Sequence, residues 1–507
     1  MVSTVVSPAL VGLDTATVQV EVDLRAGLPA FSVVGLPDAA VSEARERVRS
    51  GVLNQGFAVP ARRIVANLAP ADLRKSGPQY DLPIALAMLA ASGQIPAGCL
   101  AGVGAVGELA LDGGVRGVPG VLAMAEHAAR RGWRRLVVPA PNGPEGALAA
   151  GEVEIVPAAT LRDAAEALAG TRPVVRPAMP TFDAPSDDAR GPDLTEVRGQ
   201  QAARRALEVA AAGFHSLLMI GPPGGGKTML ARRLPALLPP LAVAEAIAVT
   251  RIHSVAGLID PGRPLVVRRP FRAPHHSISV AGLVGGGRTP RPGEVTLAHL
   301  GVLFLDEVCA FAPSVLDALR QPLEQGVIDV VRGNTAARFP ARPLLVCAGN
   351  PCPCGHDGDP GRRCVCPPGR AEAYRARLSG PVADRLDLRV DVPRLDRDEL
   401  LGGAAPESSA VVAARVRQAI ARRVARGQVI PNAYLGPTAA REAAALDRRG
   451  LGLLGRAVDR LALSARGVDR ILRVARTVAD LDGAEGVGDA HLLEAIALRA
   501  PAGPEGS

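Results

Sequence analysis

A chain of 507 residues is longer than one hydrophobic core can organise, so about two to four domains are expected. Apolar residues make up 48% and aromatics only 2%, which leaves Ala, Val and Leu to build the cores and argues against base stacking as the main grip on any nucleic acid. The net charge of +8 permits polyanion binding without requiring it. No stretch of 18 residues is free of polar breaks, and residues 1–20 lack a basic segment followed by an apolar core. The expectation is a cytoplasmic protein with no membrane partner.

Residues 1–172 mix both periodicities. Alternation predicts strands at 17–24 and 30–34, and a helix at 39–56 with Val41, Ala44, Val48 and Leu53 on one side. A buried helix at 82–91, a strand at 103–111, a helix at 118–131 and a strand at 136–138 follow, giving an α+β domain. The run GELALDGGVRGVPGVLAMAEHAARRGWRRLVVPAPN resembles the proteolytic domain of Lon-type proteases, and KSGPQYDLPIALAML resembles the segment that carries their serine. Laid against that pattern, the nucleophile position is Gln79 and the general-base lysine position is Leu122. An amide is no nucleophile and Leu accepts no proton, so the resemblance implies a Lon-like fold without the Ser-Lys dyad or protease activity, serving as a scaffold or a nucleic-acid contact surface. Residues 170–192 carry five prolines and the pair Asp187-Asp188, which places a linker at 173–192.

The core predicted over 193–398 is a P-loop α/β domain. A helix is expected at 201–212, with Ala203, Leu207, Val209 and Ala210 available for packing. The apolar run 217–220 reads as a buried parallel strand, and Gly221-Pro222-Pro223-Gly224-Gly225-Gly226-Lys227-Thr228 follows it directly. The glycines let backbone N–H groups turn towards a polyphosphate, Lys227 reaches β and γ phosphates, and the Thr228 hydroxyl ligates Mg²⁺. A helix that starts here and continues through Met229 adds its positive end to the ATP site. About 80 residues later Val302-Leu303-Phe304-Leu305 ends in Asp306-Glu307, a buried strand delivering two carboxylates: Asp306 holds Mg²⁺ through water and Glu307 polarises the attacking water. A third strand over 343–348 delivers Asn350 to the γ phosphate or the lytic water.

Between the carboxylates and the P-loop lies RPFRAPHHSISVAGLVGGGRTPRPGEVTLAHLG. Adjacent side chains on a strand point to opposite faces, so His275 and His276 are not expected to chelate one metal. A pore or nucleic-acid hairpin is the expected role, with packing or capping as the alternative. Cys352, Cys354, Cys364 and Cys366 crowd into the loop 352–366. Four thiolates suit a structural Zn²⁺, His356 could replace one of them, and free thiols closing a loop are the other reading; a disulfide does not suit the cytosol. Cys99, Cys309 and Cys347 read as small core residues.

Residues 399–500 read as a helical lid, with helices at 408–426, 442–446, 453–462, 469–481 and 489–499, and 501–507 as a tail. Helix 408–426 is basic and amphipathic. Its Arg422-Arg423, like Arg130-Arg131 and Arg134-Arg135, reads as a solvated face or as the lining of a phosphate-tracking channel.

The run FRAPHH, LVGGG, PRPGE, LAHLGVLFLDE closely resembles the magnesium-chelatase-like branch of AAA+ proteins, and with the Lon-like domain in front the chain is similar to the ComM/YifB family throughout. That resemblance implies an adenine border at Val197 and Gly199. SGPVADRLD resembles the GPLLDR segment of chelatase motor subunits, which implies an arginine finger at Arg385; an ordinary salt bridge to Asp384 or Asp387 is the bland alternative. LSARGVDRILRVARTVADL resembles the family's sensor-2 segment, which implies Arg473, or else Arg470, as a lid contact to the γ phosphate. The implied function is that of an Mg²⁺-dependent ATPase ring, a homo-hexamer moving branched or single-stranded DNA alongside recombination proteins. A metal-insertion motor acting on a protein partner, or an ATP-gated scaffold ring, is the alternative.

Overall fold

The structure is a computed structural model that describes residues 2–149, 151, 153–182, 191–287, 290–332, 335–359, 361–376, 385–402 and 406–499. The segment 379–384 next to the proposed finger, Asp187-Asp188 of the linker and the tail 501–507 lie outside the described residues.

The N-terminal domain is built on strands β1 (Val2–Val11), β2 (Asp14–Arg25), β3 (Ala30–Val34), β4 (Arg63–Ala69), β5 (Val103–Ala105), β6 (Glu108–Leu109), β7 (Val115–Arg116), β8 (Arg135–Pro139) and β9 (Glu154–Ala158). Seven of them form one sheet in the order β3-β4-β2-β1-β5-β8-β9, and β6 pairs only with β7. The sheet is mixed, antiparallel across β1, β2 and β4 and parallel elsewhere. Alternation along β2 sends Val18, Val20 and Val22 into the core, against the wholly buried helix Asp81–Ala91.

Two expected elements are shorter than their patterns. The helix at 39–56 is split at Glu43 into Ala39–Ser42 and Ala44–Asn54. The strand at 103–111 stops at Ala105, because the Gly107 N–H leaves the sheet for the Gln79 carbonyl at 2.9 Å. Only glycine fits there, since a Cβ would lie 2.7 Å from Val115 Cγ1.

The second domain adds β10 (Leu217–Ile220), β11 (Phe271–Arg272), β12 (Val302–Leu305), β13 (Val327–Arg332), β14 (Thr335–Pro340), β15 (Leu344–Gly349) and β16 (Leu388–Asp391). Five of these make a parallel sheet in the order β11-β12-β15-β10-β16, while β13 and β14 pair as a separate antiparallel hairpin. Strands β10, β12 and β15 are buried along their whole length, as continuous apolar runs in a sheet covered on both faces must be. Parallel pairing also points their carboxyl ends the same way, so residues 221, 306 and 350 arrive at one edge.

The C-terminal helices are Ser409–Ala425, Pro437–Ala444, Arg448–Leu461, Ala465–Asp482 and Asp489–Ala497. Ser408, Asp447 and Ser464 cap three of them by accepting backbone N–H bonds from Val411, Gly450 and Gly467. Their apolar faces join helices Gln201–Gly213 and Lys227–Leu237 in a single core. The N-terminal domain docks at two places. Glu145 accepts from the Leu122 N–H at 2.9 Å and from the Ser254 hydroxyl, and Leu13, 4% exposed, sits among Ile328, Val330 and Phe339 of the β13–β14 hairpin. No helix among the described residues is long and apolar enough to cross a membrane.

His299, just before β12, gives this core a pH limit. Its Nδ1 accepts the Arg342 backbone N–H at 3.2 Å, the ring is 8% exposed, and burial, with the Arg342 guanidinium second, pushes its pKa down to about 4. Between its ordinary value and that one the unfolded chain binds a proton that the folded chain refuses. Stability is therefore complete above about pH 6.5 and falls by about 3 kcal/mol as the pH drops towards 4. Thermal unfolding followed across that window should show the decline, and a His299→Gln variant, with no titrating ring, should show a flatter one.

Candidate nucleotide-binding site

β10 ends at Ile220 and the chain turns through 221–226, with Gly224 and Gly226 at φ of 83° and 92°. Those angles lie in the left-handed region that glycine adopts without strain. Gly221 is required for a different reason, since a Cβ there would lie 2.0 Å from the Val392 carbonyl oxygen. Lys227 then opens the helix Lys227–Leu237, so the unpaired N–H groups of its first turn face the loop.

The Lys227 ammonium donates to the carbonyls of Gly221 at 2.7 Å and Pro222 at 2.9 Å, and to Asn350 Oδ1 at 3.2 Å. It is 8% exposed, and burial pushes its pKa down against the opposing pull of Asp306 and Glu307. The Thr228 hydroxyl donates to Asp306 Oδ2 at 2.7 Å. Glu307 stands beside it, exposed, with its N–H on Asp306 Oδ1 at 3.0 Å and a left-handed φ of 49°. A non-glycine residue in that region costs about 1–3 kcal/mol, and such strain gathers at working sites.

Lys227, Thr228, Asp306 and Asn350 thus meet as the sequence predicted, from strands whose order only the sheet reveals. Their chemistry fits a magnesium nucleotide: turned backbone N–H groups and one ammonium for the phosphates, and a hydroxyl beside a carboxylate for the cation.

Sequence reasoning missed Gln200. At a left-handed φ of 54°, its amide donates to Gly225 O at 3.1 Å and Pro393 O at 2.7 Å, tying the loop to the segment after β16. Nothing in its spacing marked it. The neighbouring Val197 is buried, and Gly199 lies close to Leu395.

Arg385 stands three residues before β16. Because Leu217 pairs with Leu388 in parallel register, Arg385 occupies the strand-start end of the sheet, opposite its own P-loop. Its guanidinium donates to Glu324 Oε1 from Nε at 3.1 Å and Nη2 at 2.5 Å. Asp387, one of the two expected salt-bridge partners, instead faces His215 at 3.4 Å and Arg470 at 3.4 Å. A cavity of about 1100 Å³ opens at this end, lined by Arg385, Arg466, Arg470 and Arg473.

Arg473 and Arg470 stand at the same end of the sheet. Both lie on the helix Ala465–Asp482, which is fastened at the strand starts by Thr477 donating or accepting at His215 Nε2, 2.7 Å away. Arg473 donates to Ala433 O at 3.3 Å. Neither arginine reaches its own subunit's phosphate loop.

Other expectations change as well. His275 and His276 occupy a turn rather than a strand, and their rings lie with centroids 4.0 Å apart and planes tilted by 35°. The insertion around them holds the short helices Val280–Val284 and Glu294–Leu297, with an antiparallel bridge between Gly286 and Arg291; residues 288–289 lie outside the described residues. Three lid arginines are tied to lid and core partners: Arg415 to Glu208 and Glu407, Arg422 to Asp480 O, Arg426 to Asp480, while Arg417 is exposed. Cys309 and Cys347 are core residues as expected, and Cys99 is half-buried.

The cysteine quartet does assemble. The sulfur atoms of Cys352, Cys354, Cys364 and Cys366 all lie within 4.8 Å of one another, and among the described residues this is the group of side chains placed to hold a metal. His356 is not among them, its Nδ1 standing 3.3 Å from Asp359 Oδ2.

Strand order and the meeting of four polar side chains at one edge of a parallel sheet define the class: this is a P-loop protein of the AAA+ type. Family models support that placement. Residues 193–400 match "Magnesium chelatase, subunit ChlI", residues 406–499 match its C-terminal region, and residues 20–142 match "Subunit ChlI of Mg-chelatase". Over 98% of its length the chain is 44% identical to the competence protein ComM of Haemophilus influenzae, covering 97% of that protein. It is 44% identical to YifB of Escherichia coli over 97% of its length and 96% of YifB. The magnesium-chelatase 38 kDa subunit of Cereibacter sphaeroides matches at 27% identity over 59% of this chain and 88% of that subunit. The chain belongs to the ComM/YifB family of magnesium-chelatase-like AAA+ proteins.

Proposed function

We propose that the protein is an Mg²⁺-dependent ATPase that works as a ring, a homo-hexamer, and moves branched or single-stranded DNA in natural transformation or recombination. The observation that carries the ATPase is the convergence of Lys227, Thr228, Asp306 and Asn350 beside an exposed, strained Glu307. Loop 221–226 and the first turn after it, through Met229, would hold the polyphosphate, with Lys227 as counter-charge. Thr228 and Asp306 would hold Mg²⁺, which supplies charge neutralisation at the phosphates. Glu307 polarises the attacking water and Asn350 orients it.

Assembly follows from where the arginines stand. Arg385 lies at the far end of the sheet from its own P-loop, so it serves a neighbour's phosphates, and Arg473, in the same cavity, serves that neighbour too. A head-to-tail contact whose rotation closes makes a ring, which is the form of assembly proposed. Residues 1–172 take the role of a Lon-like scaffold or DNA-contacting surface: the resemblance puts Gln79 and Leu122 where a Lon protease carries its serine and lysine, and neither side chain supports that chemistry. The cytoplasm is its place of work, and recombination proteins are its partners.

Similarity to a protein named for competence supports the DNA cargo. The chelatase family models support a second reading, a metal-insertion motor or ATP-gated ring acting on a protein partner. ATP hydrolysis measured alone and with single-stranded, duplex and four-way-junction DNA at fixed salt separates them. Stimulation by the junction supports the first; a basal rate unmoved by any DNA overturns it and favours the second.

A further inference from the structure

The cysteine loop touches the phosphate loop. Cys352 follows Asn350 by two residues and is wholly buried, and Gly355, at φ of 82°, lies so close to Pro223 that a Cβ would come within 2.5 Å of its Cδ. One side of the loop thus continues from the residue that contacts Lys227, and the other presses on the residue that shapes the P-loop turn.

The sulfur spacing identifies what closes this loop. Cys352 Sγ lies 3.3 Å from Cys354 Sγ and 3.7 Å from Cys364 Sγ, and the last two are 3.6 Å apart. Disulfide sulfurs would be about 2.05 Å apart, whereas a tetrahedron of four thiolates around Zn²⁺, with Zn–S bonds of about 2.3 Å, has edges of about 3.8 Å. Backbone N–H groups already turn towards the sulfurs, as Asp357 N–H does to Cys352 Sγ at 3.3 Å, which favours the anionic form a metal needs. Four like-charged thiolates at these distances repel one another unless a cation sits between them.

We propose that Cys352, Cys354, Cys364 and Cys366 bind one Zn²⁺ and that the loop it closes is a brace for the nucleotide site, holding Pro223 from one side and Asn350 from the other. The metal half stands on the sulfur geometry alone; the brace rests on the nucleotide site proposed above. Zinc loss then loosens the P-loop and lowers nucleotide affinity and ATP turnover without unfolding the distant N-terminal domain.

The test uses the full-length protein, purified with zinc in the medium. Zinc content is measured by atomic absorption, affinity with a fluorescent ATP analogue, and turnover by phosphate release. The wild type should carry about one zinc per chain. A Cys364→Ser/Cys366→Ser variant should lose it, with affinity and turnover falling about 10- to 100-fold, as displacement of a site by about 1 Å does. Gly355→Ala keeps all four thiols and should retain zinc yet lose affinity by moving Pro223. Removing zinc from the wild type with a chelator and restoring it should lower and then recover both readouts, which covers the case in which the serine variant does not fold. A wild type without zinc overturns the metal site. Zinc present, with wild-type affinity and turnover after its removal, overturns the brace. A zinc-loaded wild type that binds no ATP analogue leaves the metal site standing and overturns both the brace and the ATPase assignment.

Discussion

Arg385→Ala should lower ATP hydrolysis by about 10³-fold or more while leaving nucleotide affinity within a few-fold, because an arginine acting on a neighbour's phosphates stabilises charge that develops only during transfer. A thermal melt of the variant separates this loss from unfolding. Arg385, 14% exposed, pairs with Glu324, which is 48% exposed and has Arg466 3.8 Å away as a second cation. Removing a half-buried charged hydrogen-bond partner costs about 1–3 kcal/mol, less than it takes to unfold a domain. Phosphate release and equilibrium binding of a fluorescent ATP analogue, measured on the same preparation, separate the two effects. A variant that loses affinity in proportion to rate would place Arg385 in ground-state binding instead.

Lys227→Ala should remove both binding and turnover. The ammonium is nearly enclosed and its contacts, the Gly221 and Pro222 carbonyls and Asn350, are all part of the site's floor. Removing it leaves those oxygens without their donor and the phosphates without their counter-charge, and a buried acceptor left unpaired costs about 1–3 kcal/mol before any ligand is considered. Affinity for the ATP analogue should fall beyond measurement while the N-terminal domain, whose core is a separate cluster, melts as before. Retained binding with lost turnover would instead make Lys227 a group that acts only during the reaction.

How much of this was legible in the sequence depends on what kind of fact each residue states. Strands β10 and β12 fall where their apolar runs place them, residue for residue, because a strand buried on both faces has no polar position to blur its ends. Asp306 and Asn350 were marked for the same reason, each sitting immediately past a run of that kind, and Lys227 and Thr228 were marked by the glycine-rich loop that follows β10. Strands β4 and β9 carried no comparable signal, since they pair with strands well separated in the chain, whereas β1 pairs with β2 and β13 with β14 across short connections that sequence reasoning missed.

The placement of the helical bundle was the least accessible. A sequence gives the apolar face of Ala465–Asp482 but not which end of the sheet that face meets, so the expected lid contact of Arg473 specified no subunit, and the structure stands it with Arg385. The contact of Asp387 with His215 and Thr477's contact with the same ring settle that orientation through three distant segments at once. For the two histidines the strand alternation expected from the sequence does not apply, because the chain turns there and brings the neighbouring rings together, tilted by 35°.

The claim that holds the rest together is that each nucleotide site is completed by the next subunit, and mixing two dead variants tests it most directly. Lys227→Ala lacks a working P-loop but presents an intact Arg385, and Arg385→Ala has the opposite defect. Mixed in equal amounts and allowed to reassemble, they should regain up to about a quarter of the wild-type ATP hydrolysis rate, since one interface in about four joins a sound P-loop to a sound arginine. A mixture as inactive as either variant alone, under conditions where the two are shown to co-assemble, would contradict a shared site.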